Sequence, residues 1–301
     1  YEGYTKVWGD EFDGDSLNRD DWNVETHEKG WVNSELQEYV DSEENIQVKD
    51  GKLVINPVKK VSSIESNAVG NLLKNSDFSE GMEGWTQTIA NWGGETGSAD
   101  ASTKEVVSYT SGRVSTQNKQ TFTYGRFECR AKVPKGQGYL PAFWLMANDE
   151  NVYGQWPRCG EIDCMEVMGQ ETNKAYGTVH YGNPHAQSQG TYYTGENESD
   201  FSDDFHVFTC DWEPGKITWY VDGVKYHEEN DWYSTTVGQG TLAYPAPFDQ
   251  PFYIILNLAV GGSWVGNPND ETSFENNPYE IDYVRVYQKD SYNEDVKRPV
   301  K

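Results

Sequence analysis

Apolar and polar residues alternate along most of this chain, and turn-forming residues interrupt the alternation at short intervals. This pattern is typical of short β-strands, because successive side chains of a strand point to opposite faces of a sheet. Residues 46–55 and 217–226 are the clearest cases, each divided by an Asp-Gly pair. Asp-Gly favours a type I′ turn, which needs positive φ at both positions. Each segment therefore predicts a β-hairpin.

Helical periodicity is hard to find, and seven further strands are predicted at residues 125–133, 141–146, 160–168, 175–181, 205–212, 252–259 and 279–287. So many short strands predict an all-β fold of two packed sheets rather than a parallel α/β core. The organisation predicted is one domain over residues 1–288. Residues 61–107, rich in Ser, Asn, Gly and Glu, are interpreted as an insertion, and residues 289–301 as a polar, frayed tail.

Composition narrows the possible partners. The chain carries 24 basic and 49 acidic residues in 301, a formal charge of −25, so nucleic acid and sulfated polysaccharide would be repelled whereas a neutral ligand would not. Aromatic residues reach 14%, which excludes disorder. No apolar run approaches the roughly 18 residues of a membrane helix, so no membrane insertion is predicted. The four cysteines and five histidines show no metal-ligand spacing, and buried free thiols are expected.

One predicted strand, residues 160–168, is unusually acidic. Residues two apart share a face of a strand, so Glu161 and Asp163 point together. Glu166 is out of phase, but a one-residue β-bulge at Cys164-Met165 would return it to the same face. Three carboxylates would then line one groove, and two of them could approach the ~5 to 5.5 Å separation that retaining glycosidases use.

Other interpretations of this spacing stay open. An isolated Glu-x-Asp-x-x-Glu also fits the acidic solvent face of an edge strand. The context favours a sugar cleft, because Trp156-Pro157 precedes the strand and the chain is rich in rings that stack on pyranoses. Alternation and aromatic content alone would still suit a non-catalytic lectin.

Motifs spread over the chain support a catalytic sugar cleft. They lie at residues 8–14, 33–39, 109–113, 124–128, 141–144, 160–168, 256–262 and 281–287. With these motifs the sequence resembles glycoside hydrolase family 16, and within it the laminarinase-like endo-β-1,3-glucanases. The resemblance implies a jelly-roll β-sandwich of two curved antiparallel sheets with the substrate cleft on the concave face. The extra Met165 resembles the bulged laminarinase motif. Leu140 departs from the family pattern, which often has Trp there.

The resemblance implies a retaining endo-β-glucanase that hydrolyses neutral β-1,3-glucan of the laminarin type, and mixed-linkage β-1,3-1,4-glucan as a further substrate. Glu161 would be the nucleophile, Glu166 the acid/base, and Asp163 the residue that orients the nucleophile. Because Glu166 faces two other acids, we expect its pKa to be raised. Alternatives from other classes are a β-glucan-binding lectin, a family 16 transglycosylase and a galactanase; the charge of −25 disfavours sulfated galactans.

Further residues match positions that bind substrate in the family, and they are Asn33, Arg113, Trp144, Trp156, His180 and Trp264. Each has a structural alternative. The tryptophans could belong to the core, Arg113 to an ion pair at a strand end, and His180 to a structural hydrogen-bond network.

The resemblance also implies a structural calcium held by Asp282 and by the carbonyls of Glu11 and Gly51, with an ordinary exposed acid as the alternative for Asp282. No catalytic cofactor is expected. The insertion is predicted to fold back along the cleft rim, where Trp85 or Trp92 would extend the sugar-binding surface or wall off one end. A surface excursion without such a role is the alternative. The protein is expected to be a monomer that is secreted or located at the cell surface or in the periplasm.

Overall fold

A computed structural model describes residues 1–64, 104–195 and 199–300. Over these ranges the regular secondary structure consists of β-strands. The strands are β1 (Thr5–Asp10), β2 (Asn23–Val24), β3 (Gln37–Tyr39), β4 (Ile46–Lys49), β5 (Lys52–Ile55), β6 (Val58–Ile64), β7 (Lys104–Ser111), β8 (Arg113–Ser115), β9 (Thr121–Phe122), β10 (Gly125–Lys132), β11 (Tyr139–Ala147), β12 (Glu161–Glu166), β13 (Lys174–Tyr181), β14 (Ala186–Tyr193), β15 (His206–Glu213), β16 (Lys216–Val221), β17 (Val224–Glu229), β18 (Thr235–Thr236), β19 (Gly240–Thr241), β20 (Phe252–Val260) and β21 (Tyr279–Gln288). The all-β prediction is confirmed.

Two large antiparallel sheets form the jelly-roll sandwich. One has the order β17-β16-β15-β10-β21-β5-β4, with β1 also paired to β21. The other has the order β14-β13-β12-β11-β20-β8-β2, with β9 also paired to β20. We call the second the cleft sheet, because the functional cleft described below lies on it. A short parallel pairing joins β3 to β7 through residues 109–111.

Local turn chemistry accounts for the two predicted hairpins. β4 pairs with β5 and β16 with β17, both antiparallel. Their turns place Asp50 at φ 53° and Gly51 at φ 70°, and Asp222 at φ 48° and Gly223 at φ 80°. Positive φ at both central positions is the type I′ geometry, whose twist matches that of the flanking strands. The hairpin predictions are therefore confirmed.

Large aromatic side chains fill the space between the two sheets. Trp212 and Trp219 from one sheet and Phe143 from the other are completely buried. Every residue of β20 is buried, so this central strand is covered on both faces. The four cysteines are buried as well, within the same core. Aromatic rings thus fill much of the core of this protein, and each ring buries a large apolar area.

The chain divides into two compact units, Tyr1–Val58 with Tyr109–Lys301, and Lys59–Ser108. The second unit contains most of β6 and β7. The predicted cleft-rim residues Trp85 and Trp92 lie outside the described residues. No helix in the described ranges is both long and apolar enough to cross a membrane.

The C-terminal tail is polar, as expected, and two of its side chains contact other parts of the chain. The Tyr292 ring lies 5.3 Å from the Tyr124 ring, and Arg298 Nε lies 2.6 Å from Asp231 Oδ1. The polar composition of the tail conceals these contacts, because they depend on partners that are distant in the sequence.

A glycine beneath Trp219 gives the first test of the packing. A Cβ on Gly177 would lie 2.4 Å from Trp219 Cδ1 and 2.5 Å from the Tyr226 hydroxyl. We expect Gly177→Ala to lower the free energy of unfolding by about 1–3 kcal/mol, as overpacked cores do, in denaturant titrations. Gly14→Ala is the control, because its Cβ would meet only ordinary contacts of 3.5 Å or more. Equal effects of the two substitutions would contradict this packing.

Candidate active site

A cleft of about 990 Å³ lies on the cleft sheet. Strands β8, β11, β12, β13 and β20 contribute residues to it, and so do residues 31–35 and 261–265 from two loops. The three acids of β12 all line it. Side chains that are distant in the sequence thus meet in one groove.

The acidic strand β12 contains the predicted bulge. On the neighbouring strand β11, Trp144 pairs with Asp163 and Phe143 pairs with Met165, so Cys164 is an extra residue in the ladder. Cys164 and Met165 are both buried in the core. Two consecutive residues therefore face inward, and the next acid returns to the cleft. The β-bulge prediction is confirmed.

Burial and mutual repulsion raise the pKa values of all three acids. Burial raises the pKa of Glu161 well above its usual range, and the negative charge of Asp163 raises it further. Burial likewise raises the pKa of Asp163, with a contribution from the charge of Glu166. The pKa of Glu166 rises to about 8, mainly through burial and then through the charges of Glu161 and Glu35. The predicted direction for Glu166 is confirmed, although desolvation is the larger cause.

The hydrogen bonds around Glu161 and Asp163 are unequal. Trp156 Nε1 donates to Glu161 Oε2 at 2.6 Å, which favours the ionised form of Glu161. His180 Nε2 lies 3.0 Å from Asp163 Oδ2, but the ring N–H does not point along that line. Among the described residues, no group donates a hydrogen bond to this oxygen. From the opposite sheet, Trp219 Nε1 donates to the backbone oxygen of Asp163 at 2.8 Å and fixes the bulge.

Three predicted tryptophans line the cleft in different ways. Trp156 and Trp264 are 44% and 45% exposed, so their rings are available for stacking on sugars. Trp144 is partly buried, and its Nε1 donates to Asn257 Oδ1 at 2.7 Å. Leu140 also lines the cleft, at the position where the family often has Trp.

Arg113 lies in the cleft as an ion-paired residue. It is 6% exposed, its Nε bonds to a carboxylate oxygen of Glu25, and its guanidinium lies 5.0 Å from the Trp144 ring and 5.1 Å from the Trp31 ring. Within the protein, Arg113 therefore makes the ion pair that was the structural alternative to substrate binding. Asn33 also lines the cleft, with φ 51°.

The cleft also contains residues that were not predicted from the sequence, and Glu35 and Trp31 are two of them. Glu35 is 8% exposed, accepts a hydrogen bond from Gln37 Nε2 at 2.7 Å, and has a pKa that burial raises. Trp31 is 48% exposed, and its ring stacks on His27 at a centroid distance of 3.5 Å. Both lie within two residues of Asn33, so the motif at 33–39 was the available signal. What the motif does not show is that Glu35 lines the same cleft as Glu166 and that its charge raises the pKa of Glu166.

The residues predicted to bind calcium lie on the other sheet. The register of β1 and β5 on β21 brings the chain at Glu11 and at Gly51 to the same edge as Asp282. Asp282 Oδ2 lies 2.6 Å from Arg130 Nη1. The two backbone segments lie beside the same stretch of β21, and the Asp282 carboxylate is paired with the Arg130 guanidinium.

Comparison with known proteins gives the family. Residues 73–285 match the sequence model described as glycosyl hydrolases family 16. The chain belongs to this family. It is therefore a glycoside hydrolase, and the resemblance seen in the sequence is confirmed.

Individual relatives agree with this placement. The chain is 37% identical over 291 residues to a glucan endo-1,3-beta-glucosidase of Cryptopygus antarcticus, covering 93% of this chain and 90% of that protein. It is 35% identical over 299 residues to glucan endo-1,3-beta-glucosidase A1 of Niallia circulans, covering 95% of this chain but 38% of that protein. The X-ray structure of an endo-beta-1,3-glucanase from Pyrococcus furiosus superposes with a TM-score of 0.69 at 36% identity, covering 96% and 95% of the two chains.

The pKa of Glu166 predicts the shape of the pH profile. If Glu166 acts as an acid, activity needs its protonated form, so kcat/KM should fall as pH rises through about 8. Glu35→Gln removes a neighbouring negative charge, which lowers the pKa of Glu166 and moves this fall to lower pH. Glu228→Gln, at an exposed glutamate of β17, is the control that should leave the profile unchanged. An unmoved basic limb in Glu35→Gln would contradict this electrostatic coupling.

Proposed function

We propose that this protein is an endo-acting, retaining β-glucanase that hydrolyses β-1,3-glucan, and also mixed-linkage β-1,3-1,4-glucan. The observation that carries the proposal is the bulged strand β12, which presents Glu161 and Glu166 to one cleft in different environments. Glu166 has a pKa of about 8 and is therefore protonated at neutral pH. Glu161 receives the Trp156 N–H, which favours its anion.

In the first step, the Glu161 carboxylate attacks the anomeric carbon while Glu166 gives its proton to the departing glycosidic oxygen. One C–O bond forms to Glu161 as another breaks, and a glycosyl-enzyme results. In the second step, Glu166, now ionised, takes a proton from water, whose oxygen attacks the same carbon and releases Glu161. Two inversions give net retention of configuration.

Asp163 determines how many charges the nucleophile side of the cleft carries. It is 2% exposed, and its Oδ2 receives no hydrogen bond from the described residues. Burial and the charge of Glu166 raise the pKa of Asp163, whereas its hydrogen bond with Glu161 lowers it. We therefore assign to Asp163 the proton that the Glu161–Asp163 pair retains, so that the negative charge rests on Glu161 for the attack.

The cleft chemistry supports a neutral glucan as the substrate. Trp31, Trp156 and Trp264 expose ring faces that suit pyranose stacking, and the cleft has six buried or half-buried acids next to one ion-paired arginine. An anionic galactan would meet repulsion there and from the net charge of −25. The names of the two relatives favour β-1,3 linkages. A lectin would not need an acid held protonated opposite an ionised one.

The nucleophile gives the decisive test of mechanism and substrate. We expect the wild-type protein to release reducing sugar from laminarin, and Glu161→Ala to lower kcat by about 10⁴-fold or more while remaining folded, since no other group forms the covalent intermediate. Azide fills the space left by the side chain and should restore cleavage with inverted anomeric configuration, measurable by NMR of the product.

Three outcomes would contradict the proposal. Ordinary activity in Glu161→Ala would remove that residue from the nucleophile role. A preference for cellulose over laminarin would exclude the β-1,3 assignment, and binding of laminarin without any cleavage would favour the lectin alternative. Product analysis at high oligosaccharide concentration separates hydrolysis from transglycosylation, because water and a sugar hydroxyl compete for the same intermediate.

We further propose a structural calcium at the edge of β21, with the Glu11 and Gly51 carbonyls and the Asp282 carboxylate as oxygen ligands. The strand register that brings these three segments together supports it. The ion would share the Asp282 carboxylate with Arg130, whose Nη1 lies 2.6 Å from Oδ2.

Calcium that binds only the native state stabilises it by mass action. We expect a chelator to lower the melting temperature by several degrees and added calcium to restore it. Asp282→Asn should remove this response. Asp222→Asn is the control and should keep the response, because Asp222 is also an aspartate in an ion pair, with His206, but is not one of the proposed ligands. A melting temperature that does not respond to chelator or calcium would disprove the site.

We also propose that the protein acts outside the cytoplasm and as a monomer. Glucans long enough for endo-cleavage are polymers that do not cross membranes. Cell fractionation and the mass in solution, expected near 34.2 kDa for this chain, test the two statements.

A further inference from the structure

Three potential metal ligands meet at one end of the acidic strand. One carboxylate oxygen from each of Glu161 and Asp163 and a ring nitrogen of His180 all lie within 4.8 Å of one another. Glu161 and His180 are direct partners in the β12–β13 ladder, and Asp163 is next on the same face. The positions are therefore set by the backbone of two central strands rather than by loops.

The Asp163 carboxylate of this cluster is buried, and one of its oxygens, Oδ2, accepts no hydrogen bond among the described residues. The same oxygen lies 3.0 Å from His180 Nε2. A buried carboxylate oxygen without a donor is costly unless a proton or a cation compensates it. The cluster thus offers both a ligand set and an electrostatic reason to bind a cation.

The donor types select the kind of cation. Calcium and magnesium prefer oxygen ligands, whereas an imidazole nitrogen together with carboxylates suits zinc. Zinc places its nitrogen and oxygen ligands at about 2.0–2.2 Å, so the ligand atoms must approach one another by roughly an ångström or more from their largest separation. Small side-chain rotations of three neighbouring residues achieve this, and a water molecule from the cleft completes a tetrahedron.

We propose that Glu161, Asp163 and His180 form a zinc site and that Zn²⁺ bound there is a reversible inhibitor of the enzyme. The metal takes up the charge of Glu161 and the lone pair that would attack the anomeric carbon. It also occupies the space next to the nucleophile, so metal and glucan exclude each other. The inhibition rests on the function proposed above, whereas the binding of zinc does not.

A second histidine contacts the ring of His180 at the nitrogen that does not face the site. His185 Nε2 lies 2.9 Å from His180 Nδ1, and the two rings are stacked at 5.2 Å with an interplanar angle of 18°. When His180 Nε2 binds the metal, its Nδ1 carries the proton and donates to His185. Such a partner fixes the tautomer and the ring orientation of a ligating histidine, and losing it typically costs 10–100-fold in metal affinity. We assign His185 a positioning role.

Calorimetry with zinc chloride and the full chain tests the binding directly. We expect one zinc per chain, with affinity lowered at least 100-fold by His180→Gln and at least about 10-fold by His185→Gln. Glu161→Gln is a second ligand variant, and it should weaken binding even if His180→Gln folds poorly. His206→Gln is the matched control, because His206 also contacts a single carboxylate, at 2.7 Å from Asp222, but lies outside the cleft. Calcium and magnesium should not displace the zinc.

Kinetics with laminarin tests the inhibition. We expect zinc to raise the apparent KM without changing kcat, and a chelator to reverse the effect. Unchanged zinc affinity in the three cleft variants, equal weakening in His206→Gln, or inhibition that lowers kcat alone would overturn the proposal. A protein that cleaves laminarin but binds no stoichiometric zinc disproves the metal site only. One that binds zinc at these residues but cleaves no glucan disproves the proposed function and leaves the site intact.

Discussion

The single extra residue in β12 is the constraint on which the rest of the site depends. Strict alternation would place Glu166 beneath the sheet, where an unpaired carboxylate in an aromatic core would be very unfavourable. With Cys164 and Met165 both buried, the strand presents three acids to one side. The bulge is held from the other sheet, since Trp219 donates to the backbone oxygen of Asp163. The same β-bulge thus determines both the arrangement of the catalytic acids and the packing of the core beneath them.

Desolvation of the three acids of β12 changes their pKa values. The acids line a cleft walled by tryptophans, so burial raises the pKa of each, and mutual repulsion adds to it. Differences between their partners then separate their roles. Trp156 donates to Glu161, nothing in the described structure donates to Asp163 Oδ2, and Glu166 faces the charge of Glu35. Carboxylates of nearly equal intrinsic acidity are thereby given different protonation states.

The same features explain why this site is open to competition by metal ions. A nucleophile needs a negative charge, a low-dielectric setting and an unoccupied lone pair, and these are also the requirements of a metal ligand. His180 adds a nitrogen donor at the edge of the pair, with His185 fixed against it. A cleft suited to neutral sugars therefore also offers a ligand set for a small cation.

Several features of this protein follow from the sequence alone. Period-two alternation and the Asp-Gly turns determine the strands and hairpins, because they act over a few residues. The bulge is also visible locally, because a regular strand with this spacing could not place Glu161, Asp163 and Glu166 on the same face. Tertiary structure alone decided the rest: that the charge of Glu35 acts on Glu166, that Arg113 is paired with Glu25, that Trp31 lines the cleft, and that Arg298 is paired with Asp231. These contacts join residues far apart in the chain, and their energies depend on burial and on facing charges, which no local pattern encodes.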